Sequence, residues 1–268
     1  MAWNRITKAD IARLKLPPPT PYSPLPSHGT LFASLRAVPL QMMTYNIKGH
    51  GSLLRGRHIE RVAEVIRELK PDVVGVQEVH RRTWKARFID QAEELERLTG
   101  MRLFFGRAMG NGESEYGNAI LTRGTIVETT IVPLPGKGEP RSMLGATIDV
   151  DGVRLIAYVT HLAAWARFGS KTRLLQAEAV AKLVAKSELP FVLMGDFNTS
   201  PSSDELRVFH DGTIVTSCFA EKVVTHRATK QCLDYIFADP TWQIRDAQVI
   251  ARGPSDHWPL VASLERSG

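Results

Sequence analysis

The chain has 268 residues, of which 43% are hydrophobic and 23% are charged, so it is long and apolar enough to bury a sizeable core. This composition excludes a wholly disordered chain. The excess of 34 basic over 28 acidic residues gives a formal charge of +6, which favours an anionic partner without requiring one.

The two cysteines, Cys218 and Cys232, are too few for a disulfide framework, and their spacing is not that of a zinc site. We expect both to be buried thiols. No apolar run reaches the length of about 18 residues that a membrane-spanning helix needs. The N-terminus lacks the apolar centre of a secretory signal. The sequence therefore predicts a soluble, cytoplasmic protein, and we expect a monomer.

Residues 1–37 are predicted to form an arm outside the main domain, which we place at residues 38–268. Thr7 can cap a short helix that ends near Leu16. Six prolines lie between Pro17 and Pro26, and they favour an extended polyproline segment over helix or sheet. This arm either packs on the domain, is disordered or recognises a partner.

From Val38 onward, short apolar strands alternate with amphipathic helices. The spacing of apolar residues predicts helices at residues 58–69, 88–98 and 171–186. Asp151-Gly152 is typical of a hairpin turn. Many strands with few helices favour two packed sheets with helices outside. The predicted strands are residues 38–45, 73–76, 103–105, 118–121, 129–132, 143–150, 153–160, 191–194, 233–237, 244–250 and 260–264.

Polar side chains stand at the ends of these apolar strands, where a core does not accommodate them. Because strand ends that converge on one rim form a concave site, we expect these residues to lie together. Carboxylates, amides and imidazoles in one place suit a metal ion and a phosphate. The residues are Asn46, Glu78, His161, Asp196, Asn198, Asp234, Asp256 and His257.

Phosphate ester cleavage requires stabilisation of charge on the phosphoryl oxygens and a positioned water. Mg²⁺ prefers oxygen ligands and retains several waters, so one or two carboxylates suffice to bind it. We predict Glu78 as a ligand and Asp256 as a further ligand, direct or through water. Asn46 is predicted either as a neutral oxygen donor to the metal or as a residue that holds a water. Mn²⁺ is the alternative metal, and zinc is disfavoured because no Cys–His cluster is present.

Six short motifs together resemble the endonuclease/exonuclease/phosphatase superfamily, which includes deoxyribonuclease I, AP endonucleases, sphingomyelinases, inositol polyphosphate 5-phosphatases and tyrosyl-DNA phosphodiesterases. The resemblance covers residues 40–264. It implies a deoxyribonuclease I-like α/β fold, a four-layered α/β/β/α sandwich of two mixed β-sheets with outer helices and the site at one end. The motifs are TYNIKG (44–49), QEV (77–79), THL (160–162), GDFN (195–198), DYIF (234–237) and SDHWP (255–259).

By this resemblance, Asp196 orients or deprotonates the attacking water, and Asn198 holds a phosphate oxygen. His257 contacts the phosphate, and Asp234 holds His257 in the required tautomer. The general base is either Asp196 or the His257–Asp234 pair. His161 resembles the histidine of the deoxyribonuclease I, sphingomyelinase and tyrosyl-phosphodiesterase branches.

Four further residues are predicted to bind phosphate or substrate. Tyr116 and Asn118 resemble a tyrosine and a polar residue two positions on in the same branches, and alternation places both on one face of a strand. By this resemblance Tyr116 contacts the phosphate and Asn118 orients His161; the alternative is that Tyr116 is an aromatic residue of the rim. Arg141 resembles the phosphate-binding arginine of several branches and could bind a phosphate with two hydrogen bonds; the alternative is a solvated arginine at the strand edge. Lys48 is similar to a basic residue of the deoxyribonuclease I branch, whereas several DNA-repair branches have aspartate there.

Two basic loops are predicted beside the same site. The second one also carries aromatic residues, which can stack a base, meet a lipid interface or pack a helix entry on the core. The first loop contains His50, Arg55, Arg57 and His58, and the second contains Trp165, Arg167, Phe168 and Lys171.

Together these features predict a Mg²⁺-dependent phosphoesterase, namely a phosphodiesterase or nuclease acting on DNA or another nucleotide-containing phosphodiester. The alternatives are a sphingomyelinase-like phosphodiesterase of phospholipid head groups and a phosphatase. A non-catalytic binding module with this fold is disfavoured because the set of site residues is complete.

Overall fold

A computed structural model describes residues 39–50, 57–164, 169–209, 216–217 and 223–267. In these ranges no helix has both the length and the apolar character to cross a membrane. Cys232 is a buried free thiol, as predicted. The predictions for the arm (residues 1–37), Arg55, Trp165, Arg167, Phe168 and Cys218 lie outside the described residues.

Two mixed sheets, each of six described strands, form the centre of the fold. The first contains β1 (Leu40–Asn46), β2 (Val73–Arg81), β3 (Arg102–Asn111), β4 (Ser114–Thr122), β11 (Trp242–Val249) and β12 (Leu260–Arg266). Their order across the sheet is β11-β12-β1-β2-β4-β3. β1 and β2 are parallel, and the other neighbours are antiparallel.

The second sheet contains β5 (Thr125–Pro133), β6 (Ser142–Val150), β7 (Val153–His161), β8 (Phe191–Asp196), β9 (Thr216–Ser217) and β10 (Asp234–Ala238). Their order across the sheet is β5-β6-β7-β8-β10-β9. β7 and β8 are its parallel pair. The turn between β6 and β7 is the predicted Asp151-Gly152 hairpin, whose two residues have φ of 51° and 84° as a type I′ turn requires.

Helices cover the outer faces of both sheets. They are α1 (His58–Leu69), α2 (Gln91–Thr99), α3 (Gly169–Val184) and the short α4 (Asp204–Arg207), with a 3₁₀ turn at Trp84–Ala86. Buried side chains of α1 and α2 share one cluster with the first sheet, and those of α3 share another with the second sheet. A third cluster lies between the sheets. The predicted four-layered α/β/β/α sandwich is therefore confirmed.

Strand β1 shows how the layers arise from the sequence. Met42 and Met43 are consecutive, so their side chains point to opposite faces of the sheet. Met42 lies in the cluster between the sheets, and Met43 lies in the cluster under the helices. Burial on both faces explains why this strand is a nearly continuous apolar run.

The second predicted helix begins later than expected. Asp90 accepts a hydrogen bond from the Glu93 backbone N–H at 3.2 Å, so α2 starts at Gln91 and not at Phe88. Phe88 lies in the preceding loop, and 72% of its surface is exposed. The apolar residue that looked like part of a buried helix face is therefore on the surface.

Removal of a large side chain under α3 should reveal how much this packing contributes. Leu193 in β8 has no exposed surface. We expect Leu193→Ala to lower the free energy of unfolding by about 3 kcal/mol, because the truncation leaves a cavity. Urea denaturation measures this change. Val127→Ala, at a position with 54% exposure on β5, is the control. A loss below about 1 kcal/mol for Leu193→Ala would contradict this packing.

Candidate active site

Strand register places three predicted site residues side by side in the second sheet. His161 at the end of β7 pairs with Asp196 at the end of β8. Asp196 in turn pairs with Asp234, the first residue of β10. Because β8 and β10 are antiparallel, the start of one meets the end of the other. Residues from three separate motifs thus meet at one end of the sheet.

The side-chain amide of Asn46 connects the two sheets. Its Nδ2 donates to Asp196 Oδ2 at 2.9 Å and to Glu78 Oε1 at 3.2 Å. Its Oδ1 accepts the backbone N–H of Lys48 at 3.0 Å. The ends of β1 and β8 therefore face each other, and the carboxylates of Glu78 and Asp196 lie on either side of one amide.

Asp196 lies at the centre of the site and is 1% exposed. Its Oδ1 accepts the backbone N–H of Asn198 at 2.8 Å. Its Oδ2 lies 3.5 Å from His161 Nε2 and 3.6 Å from His257 Nε2. Burial raises the pKa of Asp196, and the nearby His257 charge only partly opposes this effect. The geometry suits a carboxylate that exchanges a proton.

His257 and Asp234 form a buried pair next to Asp196. Nδ1 of His257 donates to Asp234 Oδ2 at 2.8 Å. Burial lowers the pKa of His257, but the negative charges of Asp234 and Asp196 outweigh burial and raise this pKa to about 10. The ring is therefore an imidazolium at neutral pH, with its Nε2–H on the side of Asp196.

His161 is held in the opposite protonation state. Arg141 Nη1 donates to His161 Nδ1 at 2.9 Å and lies 3.5 Å from the Tyr116 hydroxyl. Since a guanidinium only donates, the His161 proton resides on Nε2, which faces Asp196. Burial lowers the pKa of His161 well below its usual value, and the charges of Arg141 and His257 add to this effect. His161 is thus a neutral donor.

Asn118 does not make its predicted contact with His161. Its Nδ2 donates to the Ser142 carbonyl oxygen at 3.5 Å, and Arg141 occupies the position beside His161. Alternation along β4 correctly places Tyr116 and Asn118 on one face, and both are buried. The partner of the Asn118 amide depends on the position of β6 next to β4, because Ser142 is the first residue of β6. Local periodicity does not predict that position.

Lys48, predicted to contact substrate, forms an ion pair with Asp256, predicted to bind metal. Burial raises the pKa of Asp256, but the hydrogen bond and charge of Lys48 prevail and lower it. Asn198, predicted to hold a phosphate oxygen, donates its side-chain amide to the Leu162 carbonyl oxygen at 3.1 Å. All three residues lie at the site, each with a protein partner.

Three site residues adopt the left-handed backbone conformation, with φ of 47° at Lys48, 62° at Glu78 and 52° at Asn198. Glu78 lies in a bulge where the pairing of β2 with β4 shifts register. The bulge is supported by Gly49, where any Cβ would collide with the Glu78 carbonyl oxygen. Such conformations are energetically unfavourable for side-chain-bearing residues, and their concentration here is typical of functional sites.

Sequence reasoning missed His226 and Ser255. The His226 ring packs on the His257 ring with centroids 4.6 Å apart, and its Nε2 lies 3.8 Å from Asp256 Oδ2. Ser255 Oγ donates to the Asn46 carbonyl oxygen at 2.7 Å. Ser255 begins the SDHWP motif, so its position was a usable signal. His226 had no such signal in the sequence, because a β-bridge between distant segments brings it to His257.

The first predicted basic loop is only partly described. His50 and Arg57 are exposed. His58 Nε2 donates to the Ile47 carbonyl oxygen at 2.7 Å, so this ring anchors the end of β1 to α1. Lys171, from the second basic loop, is exposed on α3.

Two groups of described side chains bring possible metal ligands within 4.8 Å of one another, namely Asp196, Asp234 and His257, and His226, Asp256 and His257. Asp234 Oδ1 is buried without a hydrogen-bond partner. Glu78 accepts one hydrogen bond, from Asn46, among the described side chains. Carboxylate oxygens with few partners fit a hard divalent cation.

Acid should destabilise the fold through His80, which follows the bulge and is 4% exposed. Burial lowers the pKa of His80 to about 4, so between that pH and about 6.5 the unfolded chain binds a proton that the folded chain does not. We expect this group to lower the unfolding free energy by about 2 kcal/mol from pH 7 to pH 5. His80→Gln should remove that loss in urea denaturation at both pH values. An unchanged pH dependence would contradict a buried neutral ring.

The family profile described as Endonuclease/Exonuclease/phosphatase matches residues 43–257. Comparison with curated proteins gives no match. A solved endonuclease/exonuclease/phosphatase from Beutenbergia cavernae DSM 12333 has 24% identity and a TM-score of 0.72 over 86% of this chain and 72% of that chain.

Two further solved structures show the same fold. The human Nocturnin catalytic domain with bound sulfate has 20% identity and a TM-score of 0.69, over 85% of this chain and 95% of that chain. TDP2 of D. rerio with a single-strand DNA product has 19% identity and a TM-score of 0.66, over 85% of this chain and 99% of that chain. The profile match covers most of the chain, and it agrees with the sequence motifs and the four layers. The chain therefore belongs to the endonuclease/exonuclease/phosphatase family of metal-dependent phosphoester hydrolases.

Proposed function

We propose that the protein is a Mg²⁺-dependent phosphodiesterase that hydrolyses DNA or another nucleotide-containing phosphodiester, with Mn²⁺ as a substitute metal. The observation that carries this proposal is the buried Asp196 carboxylate, held between the Asn46 amide and the imidazoles of His161 and His257. We retain the predicted cytoplasmic location as part of the proposal.

Glu78, Asn46 and Asp256 are the residues that would hold the metal. They offer oxygen ligands, which Mg²⁺ and Mn²⁺ prefer. When bound, the metal supplies positive charge that polarises a phosphoryl oxygen. The strained backbone of Glu78 supports this assignment, because the bulge directs its carboxylate towards Asn46.

Asp196 is the better candidate for the general base. The sequence left the choice between Asp196 and the His257–Asp234 pair open. An imidazolium has no free lone pair, so the raised pKa of His257 disfavours it as a base. In this proposal Asp196 orients the attacking water and accepts its proton as the water oxygen bonds to phosphorus. The bond from phosphorus to the leaving oxygen breaks in the same step, and the leaving oxygen takes a proton from solvent. His257 donates its Nε2–H to a phosphoryl oxygen, and Asp234 keeps the proton on Nδ1.

The remaining predicted residues bind the phosphate in this proposal. Arg141 and Tyr116 approach the site from β6 and β4, and Asn198 follows β8. Arg141 Nη2 pairs with Glu139 at 3.0 Å and its Nη1 donates to His161, so among the described residues its Nε is the donor left for a phosphate oxygen. The chain resembles the solved structures of TDP2 with a single-strand DNA product and of Nocturnin with sulfate. Both bound molecules are anionic, and one is a nucleic acid, which supports an anionic, nucleotide-containing substrate.

Hydrolysis of bis-p-nitrophenyl phosphate, p-nitrophenyl phosphate, sphingomyelin and plasmid DNA tests this function. Each substrate is assayed with Mg²⁺, with Mn²⁺ and with EDTA. We expect diester hydrolysis that EDTA abolishes. Preferred hydrolysis of the monoester would indicate a phosphatase, and preferred hydrolysis of sphingomyelin a lipid phosphodiesterase. Absence of hydrolysis of every substrate would overturn the proposal.

Glu78→Gln is expected to lower kcat for the diester about 10²-fold and to raise the Mg²⁺ concentration needed for half-maximal activity, because the amide carries no charge for the cation. Metal titration of the rate measures both effects. Glu128→Gln makes the same change at an exposed position of β5 and should behave as the wild type. Equal metal dependence of Glu78→Gln and wild type would remove Glu78 from the metal site.

A further inference from the structure

A cleft of about 1010 Å³ opens next to the site. Its inner end is formed by Tyr116, Arg141 and Ser142, and Arg141 contacts His161. The cleft extends from there along β3 and β4 to Trp84. This volume lies at the upper end of the range for small-molecule sites and exceeds the needs of one phosphate group. The cleft therefore has room for a substrate on one side of the phosphate.

The inner end carries buried donors without acceptors. Arg141 is 7% exposed and Ser142 is 2% exposed. Among the described residues, neither Arg141 Nε nor Ser142 Oγ has a hydrogen-bond partner. A buried donor left unpaired is unfavourable, so these atoms indicate a ligand that brings acceptor oxygens.

One exposed aromatic ring lines the outer end of the cleft, and a second exposed ring lies on the same turn outside the lining. Trp84 lines the cleft and is 69% exposed, and Phe88 on the same turn is 72% exposed. The turn has defined backbone contacts, since Phe88 N–H donates to the Thr83 carbonyl oxygen at 2.8 Å and Ala86 N–H donates to Thr83 Oγ1 at 3.2 Å. Two large rings on an ordered turn indicate a binding surface.

Basic residues outnumber acidic ones along the walls of the cleft. Glu115 pairs with Arg107 and Glu139 pairs with Arg141, so four basic and two acidic residues leave a net charge of +2 on the walls. The basic lining residues are Lys85, Arg107, Lys137 and Arg141, and the acidic ones are Glu115 and Glu139.

We propose that this cleft binds the single-stranded nucleic acid on one side of the scissile phosphate, with bases stacked on Trp84 and Phe88. The strand combines planar bases with regularly spaced phosphates, and the cleft with its flanking turn combines aromatic rings with cations. A lipid surface would need the two rings but not the charged cleft that leads inward to Arg141. The inference rests on the proposed function for the position of the scissile phosphate.

Fluorescence anisotropy tests the inference with the full chain in EDTA and a labelled oligothymidine of about 12 nucleotides. We expect Trp84→Leu to raise Kd about tenfold and Trp84→Leu with Phe88→Leu about a hundredfold, because leucine is apolar but has no ring to stack. Trp84→Phe should bind within about threefold of the wild type. Val127→Ala, which removes exposed apolar surface outside the cleft, is the control.

Wild-type affinity in the leucine variants would overturn the inference. So would loss of binding to phosphatidylcholine/phosphatidylserine vesicles in those variants with oligothymidine binding intact, because the turn would then be a lipid surface. Hydrolysis of the four substrates named under the proposed function is measured in parallel with the wild type. Absence of hydrolysis of every one of them, with ring-dependent strand binding, would overturn the proposed function and leave strand binding by the cleft standing.

Discussion

Asp196→Asn is expected to lower kcat for bis-p-nitrophenyl phosphate at least about 10³-fold. The amide has nearly the same shape as the carboxylate but accepts no proton from water. Asn46, His161 and His257 all lie against this side chain, so its charge also organises the surrounding donors. The effect should fall on kcat more than on KM, because the proton is transferred only in the reaction.

Asp151→Asn is the matched control for this substitution. Asp151 is exposed in the β6–β7 turn with φ of 51°, a conformation that asparagine tolerates well. The control should keep the wild-type rate, and thermal unfolding should show that both variants fold. A kcat within about tenfold of the wild type for Asp196→Asn would exclude Asp196 as the general base.

Asp234→Asn is expected to lower kcat about 10²-fold near pH 6 and about 10³-fold or more near pH 9. Removal of a negative charge beside His257 disfavours the imidazolium, so its pKa falls below the wild-type value of about 10. At the higher pH the variant therefore loses both the orientation and the charge of His257. At the lower pH it loses mainly the orientation.

NMR titration of the His257 ring in EDTA measures the fall in pKa directly. Asp239→Asn is the control, because Asp239 accepts a hydrogen bond from the Thr241 backbone N–H on the exposed surface. An equal loss of kcat at both pH values would contradict the proposed electrostatic role. An unchanged titration of His257 would contradict the hydrogen-bonded pair itself.

Local sequence was sufficient to predict a helix or strand where its own residues decide where it begins and ends. Helix α1 occupies the predicted residues 58–69, because its apolar spacing creates a buried face without reference to other segments. The same reasoning misplaced the start of α2, since Phe88 has the spacing of a core residue but Asp90 caps the helix. The bulge at Glu78 was also not predictable, because it depends on pairing between β2 and β4.

In the candidate site, too, local sequence predicted some features, and pairing between distant segments decided the others. Motifs identified Asn46, Glu78 and Asp196 as polar residues at strand ends, because such side chains are unfavourable in a core. The convergence of strand ends on one rim predicted that these residues lie together, but it did not predict which of their atoms contact each other. His226 had no motif, and only the β-bridge to His257 brings it to the site.

The amino-acid sequence alone determined the layered fold class, the family and the types of side chain available for chemistry, because apolar periodicity and short motifs are local properties of a chain. Tertiary structure alone decided that His161 is neutral and His257 is charged. Arg141 faces the first imidazole, and Asp234 and Asp196 face the second. Identical side chains acquire different protonation states because burial and neighbouring charges are set by packing between segments far apart in the chain.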